Sequence, residues 1–340
     1  MPSPADPWTW FAPEGLSATW REVLQGAGAQ GSEDPNRWDL WLPSRGLALD
    51  RQLRELPPPR PGSVVGALPG AGVLADKRLL WVRLVLALGR TGAARIAPQA
   101  WLPELPRDLD ALRAHAARGG GPWVLKDVRR QRREGVRLTD DPLSLLPADP
   151  AERRRMLVQE GVRDVLSIDG HRTSLRVWLV LRREGRGLTA WRHREGLVVY
   201  APSKDDWMTR TTADWLAPVG APRRLSGLIR GLGAPARAVP AAIDAALRAA
   251  CGAALRDLGK AEALRSTPCF ELFGVDFVLD ASLHPWLVEF NRKPRTAPRE
   301  PDEAPLRAEI LRGALALGGV GGVEGGENCC ELGRWRLPDG

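Results

Sequence analysis

The chain has 340 residues, 44% of them hydrophobic and 26% charged, as in a globular protein with a sizeable core divided into two or three subdomains. A formal charge of +8 favours an acidic partner: a nucleotide, an acidic peptide tail or nucleic acid. Four cysteines without CxxC or Cys/His spacing exclude a zinc framework and fit a reducing compartment, so the expected location is cytoplasmic. The opening, MPSPADPWTWFAPEG, lacks a basic segment followed by an apolar one, and no uninterrupted apolar run is long enough to span a bilayer, so no membrane partner is expected. No G-x-S-x-G, Walker loop or H-E-x-x-H motif is present.

In chain order, Leu16 to Leu24 is predicted as a short helix and Trp38 to Leu42 as a strand, before the break at Pro57 to Pro61. Ala75 to Gly89 has a helical apolar pattern with Lys77 in its first turn, where the helix dipole disfavours a cation unless an anion is near. Leu105 to Ala117 is predicted as a helix ended by Gly119, Gly120 and Gly121. Pro122 to Lys126 follows as a short strand, and Lys126 offers a compact charge suited to a phosphate oxygen. The loop from Val128 to Arg137 carries Arg129, Arg130, Arg132, Arg133 and Arg137. No aromatic residue interleaves them, so nucleic acid is disfavoured as the partner. Arg153 to Glu160 climbs into a strand. Asp169–Gly170 is a tight-turn dipeptide, and the strand Thr173 to Leu181 after it places Arg172, Ser174 and Arg176 on one face. Two arginines and a hydroxyl there suit carboxylate or phosphate recognition, with solvated arginines as the plain alternative. Val239 to Gly259 and Glu303 to Leu317 are predicted helices. Gly318 to Gly326 is predicted as a flexible linker, with the last fourteen residues loosely held.

Between those helices lies FELFGVDFVLDASLHPWLVEFNRKP, Phe270 to Pro294, which alternates on both sides of Ala281–Ser282–Leu283 like two strands of a ribbon. With Asp280 opposite Pro285, Asp276 falls opposite Glu289 and Gly274 opposite Asn291. Val275, Phe277 and Leu279 then form a core face with Phe290, Val288 and Trp286. The other face gathers Asp276, Glu289 and Asn291. From the pattern alone this is either a solvated face or an oxygen-ligand site for magnesium. Without metal the two acids repel, so Glu289→Gln is expected to leave stability unchanged or slightly higher.

This block resembles the end of the ATP-grasp domain in the tubulin–tyrosine ligase-like family, F-E-L-x-G-x-D-x-x-L-D…P-W-L-x-E-x-N-x-x-P. The match runs through Phe270, Glu271, Leu272, Gly274, Asp276, Leu279, Asp280, Pro285, Trp286, Leu287, Glu289, Asn291 and Pro294. The resemblance implies that Asp276, Glu289 and Asn291 hold the magnesium bound to ATP. Leu74, Lys77 and Leu80 match L-x-x-K-x-x-L, whose lysine serves the phosphate or acceptor site. Lys126 matches the lysine of W-x-x-K-P, which meets the phosphates, and Gly135–Val136 matches part of the loop covering them. Leu157 to Val162 resembles the hinge L-V-Q-x-Y-I, so Gln159, Glu160 and Val162 would border the adenine. Arg172 would hold phosphate and Arg176 an acceptor carboxylate or phosphate. Arg194, Glu195, Gly196 and Ala201 match Y-x-x-R/K-E-G-x-x-R-x-A/S. The chain departs from the family at Asp127 for proline, Arg133 for glycine, Gly161 for tyrosine, Ser174 for aspartate and Val199 for arginine. Where H-L-T-N is expected, at Trp207 to Arg210, only Thr209 survives.

The resemblance implies an α+β chain: an ATP-grasp fold with mixed and antiparallel sheets flanked by helices, preceded by a small N-terminal α/β lobe. The expected divisions are 1–100 for the lobe, 101–165 for a central ATP-grasp subdomain, 166–317 for a C-terminal subdomain with the metal site, and 318–340 for a linker and tail. The activity implied is that of an ATP-dependent carboxylate–amine ligase working through an acyl phosphate. It would join an amino acid donor to an acidic protein tail or peptide, a tubulin-like one if the host has it. The alternative is an inactive family member that binds a nucleotide or an acidic partner.

Overall fold

A computed structural model describes residues 8–13, 15–43, 52, 59–128, 135–201, 223–258, 264, 266–292, 294–298 and 300–338. The chain opens with β1 (Thr9–Phe11), α1 (Ala18–Gly26), β2 (Gln30–Gly31), β3 (Leu40–Trp41), β4 (Val64–Val65), α2 (Gly72–Ala75) and α3 (Lys77–Ala93). Then come β5 (Ala100–Trp101), α4 (Pro106–Ala117), β6 (Trp123–Asp127), β7 (Val136–Thr139), α5 (Pro150–Arg153) and β8 (Met156–Glu160). The remainder is β9 (Ser167–Ile168), β10 (His171–Glu184), β11 (Gly187–Tyr200), α6 (Leu225–Leu232), α7 (Val239–Leu258), β12 (Cys269–Leu279), β13 (Pro285–Arg292), α8 (Ala304–Gly318) and β14 (Cys329–Arg336).

Two sheets carry the fold. The larger runs β14-β11-β10-β12-β4-β3-β1-β2, with β13 also paired to β12 and β9 to β10. The smaller runs β5-β8-β6-β7. The alternation read along β10 and β12 decides which side each residue faces. Leu175, Val177, Leu179, Phe273, Val275, Phe277 and Leu279 are buried in one core with residues of α3 and α7. Trp178, Val180, Phe270 and Leu272 face the other way, onto Leu306, Ile310, Leu311 and Leu315 of α8. In the small sheet, Trp101, Trp123, Leu125 and Val158 pack with Leu112 of α4.

Local chemistry accounts for the elements around the site. Asp76 caps α3, its Oδ1 accepting from the backbone N–H groups of Arg78 (2.9 Å) and Leu79 (3.0 Å). The helix breaks at Gly89, with φ 71°, and then resumes to Ala93, four residues past the predicted end. Asp169 and Gly170 both have positive φ, 53° and 82°, as the predicted tight turn requires.

Two expectations are corrected. The ribbon has the predicted register at Asp276↔Glu289 and Gly274↔Asn291, but the pairing shifts between Asp276 and Phe277, so that Phe277 faces Leu287 and Leu279 faces Pro285. The extra residue turns Leu287 into the core in place of Val288 and Trp286, and the Trp286 indole N–H donates to Asp280 Oδ2 at 2.9 Å. The expected loose tail contains β14, which pairs antiparallel with β11 from Gly187↔Arg336 to His193↔Cys329 and covers that edge of the sheet. Ala234–Leu258 is long and apolar enough to cross a membrane by length and composition, although Asp244 and Arg248 interrupt its apolar run. Its Ile243, Leu247, Ala250, Cys251, Ala254 and Leu258 are buried in the core, which accounts for the apolar composition.

Candidate active site

Five predicted side chains meet on β10, β12, β13 and the start of α3, and a sixth, Lys126 on β6, is near enough to feel their charges. Asp276 lies opposite Glu289 on one side and opposite Arg176 of β10 on the other. The Asn291 amide Nδ2 donates to Asp276 Oδ2 at 3.0 Å and to Glu289 Oε1 at 3.1 Å. The Arg176 guanidinium forks onto Asp276: Nη2 donates to Oδ2 at 2.7 Å and Nε to Oδ1. Lys77, the first residue of α3, brings Nζ to 3.0 Å from Glu289 Oε2. This ion pair supplies the anion that a lysine in a first helical turn needs.

The electrostatics follow from this arrangement. Burial disfavours the charged form of Glu289, but the Lys77 ammonium, the charge of Lys126 and the Asn291 amide together hold its carboxyl down at about 2. Burial and the Glu289 charge push the Asp276 carboxyl up against the pull of Arg176. Lys126 on β6 is buried, and its Nζ donates to Gln159 Oε1 at 2.5 Å, while Gln159 Nε2 donates to the Pro98 carbonyl at 3.0 Å. Burial lowers the Lys126 ammonium to about 8. The charge of Glu289 opposes that shift and the charge of Lys77 adds to it, so these groups feel one another's charge.

The remaining predicted residues stand further out. Arg172, Ser174 and Arg176 do share one face, half-buried, alternating with the buried Thr173, Leu175 and Val177. Arg172 is four residues, roughly 13 Å, along the strand from Arg176. Its carbonyl accepts from the Ala201 N–H at 2.8 Å. The Glu160 carboxylate is 3.4 Å from His115 Nε2 and 3.6 Å from Arg163 Nη2. Val162 is half-buried just beyond it. The Gly135 carbonyl accepts from the Asp127 N–H at 2.8 Å. Arg129, Arg130, Arg132 and Arg133 of the basic loop lie outside the described residues, as do Trp207, Met208, Thr209 and Arg210.

The donor chemistry of Asp276, Glu289 and Asn291 fits magnesium, which takes one or two carboxylates and keeps several waters. With its amide turned over, so that the oxygen replaces the Nδ2 now facing the two acids, Asn291 would add a third hard donor. Among the described residues no group of three or more His, Cys, Asp or Glu side chains is placed to hold a metal.

The model of the tubulin-tyrosine ligase family matches residues 58–213 and 238–322, more than half of the chain. The chain belongs to the tubulin-tyrosine ligase family. Similar proteins include the human tubulin polyglutamylase TTLL5, 24% identical over 248 residues that make up 64% of this chain and 19% of the relative. The human tubulin monoglutamylase TTLL4 is 26% identical over 282 residues, 74% of this chain and 23% of the relative. The human tubulin monoglycylase TTLL3 is 23% identical over 234 residues, 57% of this chain and 28% of the relative. The chain thus spans less than a third of the length of these curated relatives, which are named for glutamylation and glycylation of tubulin.

The model explains two departures from the tubulin-tyrosine ligase family pattern. At Gly161 the backbone N–H donates to the Pro122 carbonyl at 2.6 Å, and a Cβ would stand 2.9 Å from that oxygen. There is no room for the family's tyrosine. Gly161→Ala is expected to lower stability by about 1–2 kcal/mol, from overpacking against backbone, as read by denaturant unfolding. Ser174 and Val199, standing for aspartate and arginine, are direct partners across β10 and β11. The two charged positions oppose each other, and here both are neutral, so neither leaves an orphan charge.

Proposed function

We propose that this chain is an ATP-dependent carboxylate–amine ligase that acts in the cytoplasm. The observation that carries this is the grouping of Asp276, Glu289 and Asn291 with three cations, Lys77, Lys126 and Arg176, in one place. Asp276, Glu289 and Asn291 would hold magnesium, which when bound neutralises phosphate charge and polarises the transferred phosphoryl group. Lys126, fixed by Gln159, holds a phosphate oxygen, and Lys77 turns from Glu289 to the phosphates or the acceptor. Arg176 orients an acceptor carboxylate while its fork holds Asp276 in place. In the proposed reaction the acceptor carboxylate takes the γ-phosphoryl group of ATP, releasing ADP. The amine of an amino acid then attacks the acyl phosphate and expels phosphate, leaving an amide bond. The acceptor we favour is an acidic protein tail or peptide, consistent with the chain's charge of +8 and with relatives named for glutamylation and glycylation of tubulin.

Calorimetry is expected to show magnesium-dependent binding of ATP, and no heat at millimolar nucleotide would end this reading. Mass spectrometry after incubation with ATP, mixed amino acids and acidic peptides is expected to show acceptors heavier by one or more amino-acid residues. Phosphorylated acceptor without an added amino acid would indicate a kinase instead. The neutral Ser174–Val199 rung favours a second reading, a family member that binds a nucleotide or an acidic partner without turnover. That reading expects binding in the first experiment and no product in the second.

A further inference from the structure

We propose that Arg292 and Glu271 form a clamp whose task is to position Lys77 at the site. Glu271 lies on β12 between the buried Phe270 and Leu272 and is itself 3% exposed. A carboxylate in such a run must be fully satisfied or it is very costly. Here it accepts from Arg292 Nε at 2.5 Å, Arg292 Nη2 at 2.8 Å and the Leu68 N–H at 3.1 Å. An apolar pair of similar volume would serve stability as well or better, so the buried ion pair calls for another role.

That role follows from what it grips. Leu68 belongs to the segment leading into α2 and then α3, and Arg292 Nη1 packs at Gly72, 3.6 Å from where a Cβ would stand. Gly70, at φ 78°, presses its backbone on the end of α7, where a Cβ would stand 1.9 Å from the Asp257 carbonyl oxygen. The Asp257 carboxylate accepts from Arg83 of α3, Nη2 to Oδ1 at 2.9 Å. The stretch from Leu68 to Arg83 is therefore anchored at both ends, by the clamp and by Asp257, and Lys77 lies between the anchors. Arg292 directly follows Asn291, so the strand that supplies two of the proposed metal donors also fixes the segment leading into the helix that supplies the lysine. Glu271 and Arg292 do not reach the reacting atoms and act through Lys77. The inference rests on the reading that Lys77 serves the phosphates.

Two measurements test it. In the ligand-free protein, acylation of Lys77 by an N-hydroxysuccinimide ester, followed by peptide mass spectrometry, is expected to be about tenfold faster in Arg292→Met than in the parent chain, relative to the other lysines, because charge-assisted bonds are lost. By calorimetry, Arg292→Met and Lys77→Met are each expected to weaken Mg·ATP binding about tenfold, and the double variant no further, because the two act as one unit. Should Arg292→Met fail to fold, the Glu271→Gln/Arg292→Met pair removes both charges and is expected to give the same results. Unchanged acylation of Lys77, or additive losses in the double variant, overturns the clamp. If the parent chain binds no Mg·ATP, the ligase reading fails, and the acylation rates alone decide the clamp.

Discussion

Glu289→Gln is expected to abolish magnesium-dependent ATP binding and also to destabilise the metal-free protein. The first effect follows from the donor set: an amide offers one neutral oxygen where the site needs a hard anionic one, and a loss of at least about a hundredfold in affinity or turnover is expected. The second reverses the expectation drawn from two carboxylates facing each other across a ribbon. The acids do not face each other unpaired, because Lys77 holds Glu289 at 3.0 Å and the Arg176 fork holds Asp276. With the Glu289 carboxyl at about 2 in the folded chain against an ordinary 4.5, its ionised form contributes stability that is fully present above pH 4.5 and lost as pH falls toward 2. The shift alone corresponds to about 3 kcal/mol, which solvent screening of a side chain 27% exposed reduces to about 1–2 kcal/mol. Melting curves in EDTA from pH 7 to pH 2 are the measurement. The variant should melt about two degrees below wild type at pH 7, with the gap closing in acid. A variant that binds Mg·ATP as tightly as wild type would remove Glu289 from the metal site.

The site was legible where alternation and spacing act over a few residues. The Asp276, Glu289 and Asn291 face needs only a period of two and a turn at Ala281 to Leu283, and its register came out as read. The bulge after Asp276 leaves no mark in composition, so the core partners Leu287 and Val288 were exchanged. β14 was illegible for a different reason. CCELGRWR is short, follows a glycine-rich stretch and gains its order from pairing with β11, more than a hundred residues away, and from Arg248 of α7, which donates to the Leu332 carbonyl. The neutralisation of the acids was equally hidden. Lys77 and Arg176 lie 212 and 100 residues from their partners, and nothing local says that their charges meet. Glu271 did leave a signal, a carboxylate set directly between Phe270 and Leu272, and such a residue predicts a buried partner. The Ser174–Val199 rung is the converse case. Read separately, each substitution suggests a damaged site, whereas the register makes them one neutral pair in place of one charged pair.

Lys126→Met is expected to raise the melting temperature of the ligand-free protein at neutral pH while removing its response to nucleotide. In the folded chain burial lowers the Lys126 ammonium from an ordinary 10.5 to about 8. Folding therefore disfavours the protonated form. The penalty is complete below pH 8 and is relieved as pH rises from about 8 to 10.5, so wild-type stability from this group increases with pH across that window. At pH 7 the penalty is on the order of 3 kcal/mol. Methionine removes it but leaves Gln159 Oε1 without its donor, which costs about 1 kcal/mol. The net gain is about 1–2 kcal/mol, or a few degrees in a chain of this size. Saturating Mg·ATP should stabilise wild type by about 2–3 kcal/mol at a hundredfold excess over Kd and leave the variant unmoved. The order of the two melting temperatures should thus invert on adding Mg·ATP, and only the wild type should show the rise between pH 8 and 10.5. A variant that melts below wild type without nucleotide, or keeps that alkaline rise, would show that Lys126 is not the strained cation of the site. A buried lysine that costs stability in the empty protein and repays it only when phosphate arrives is what an anion-binding role demands.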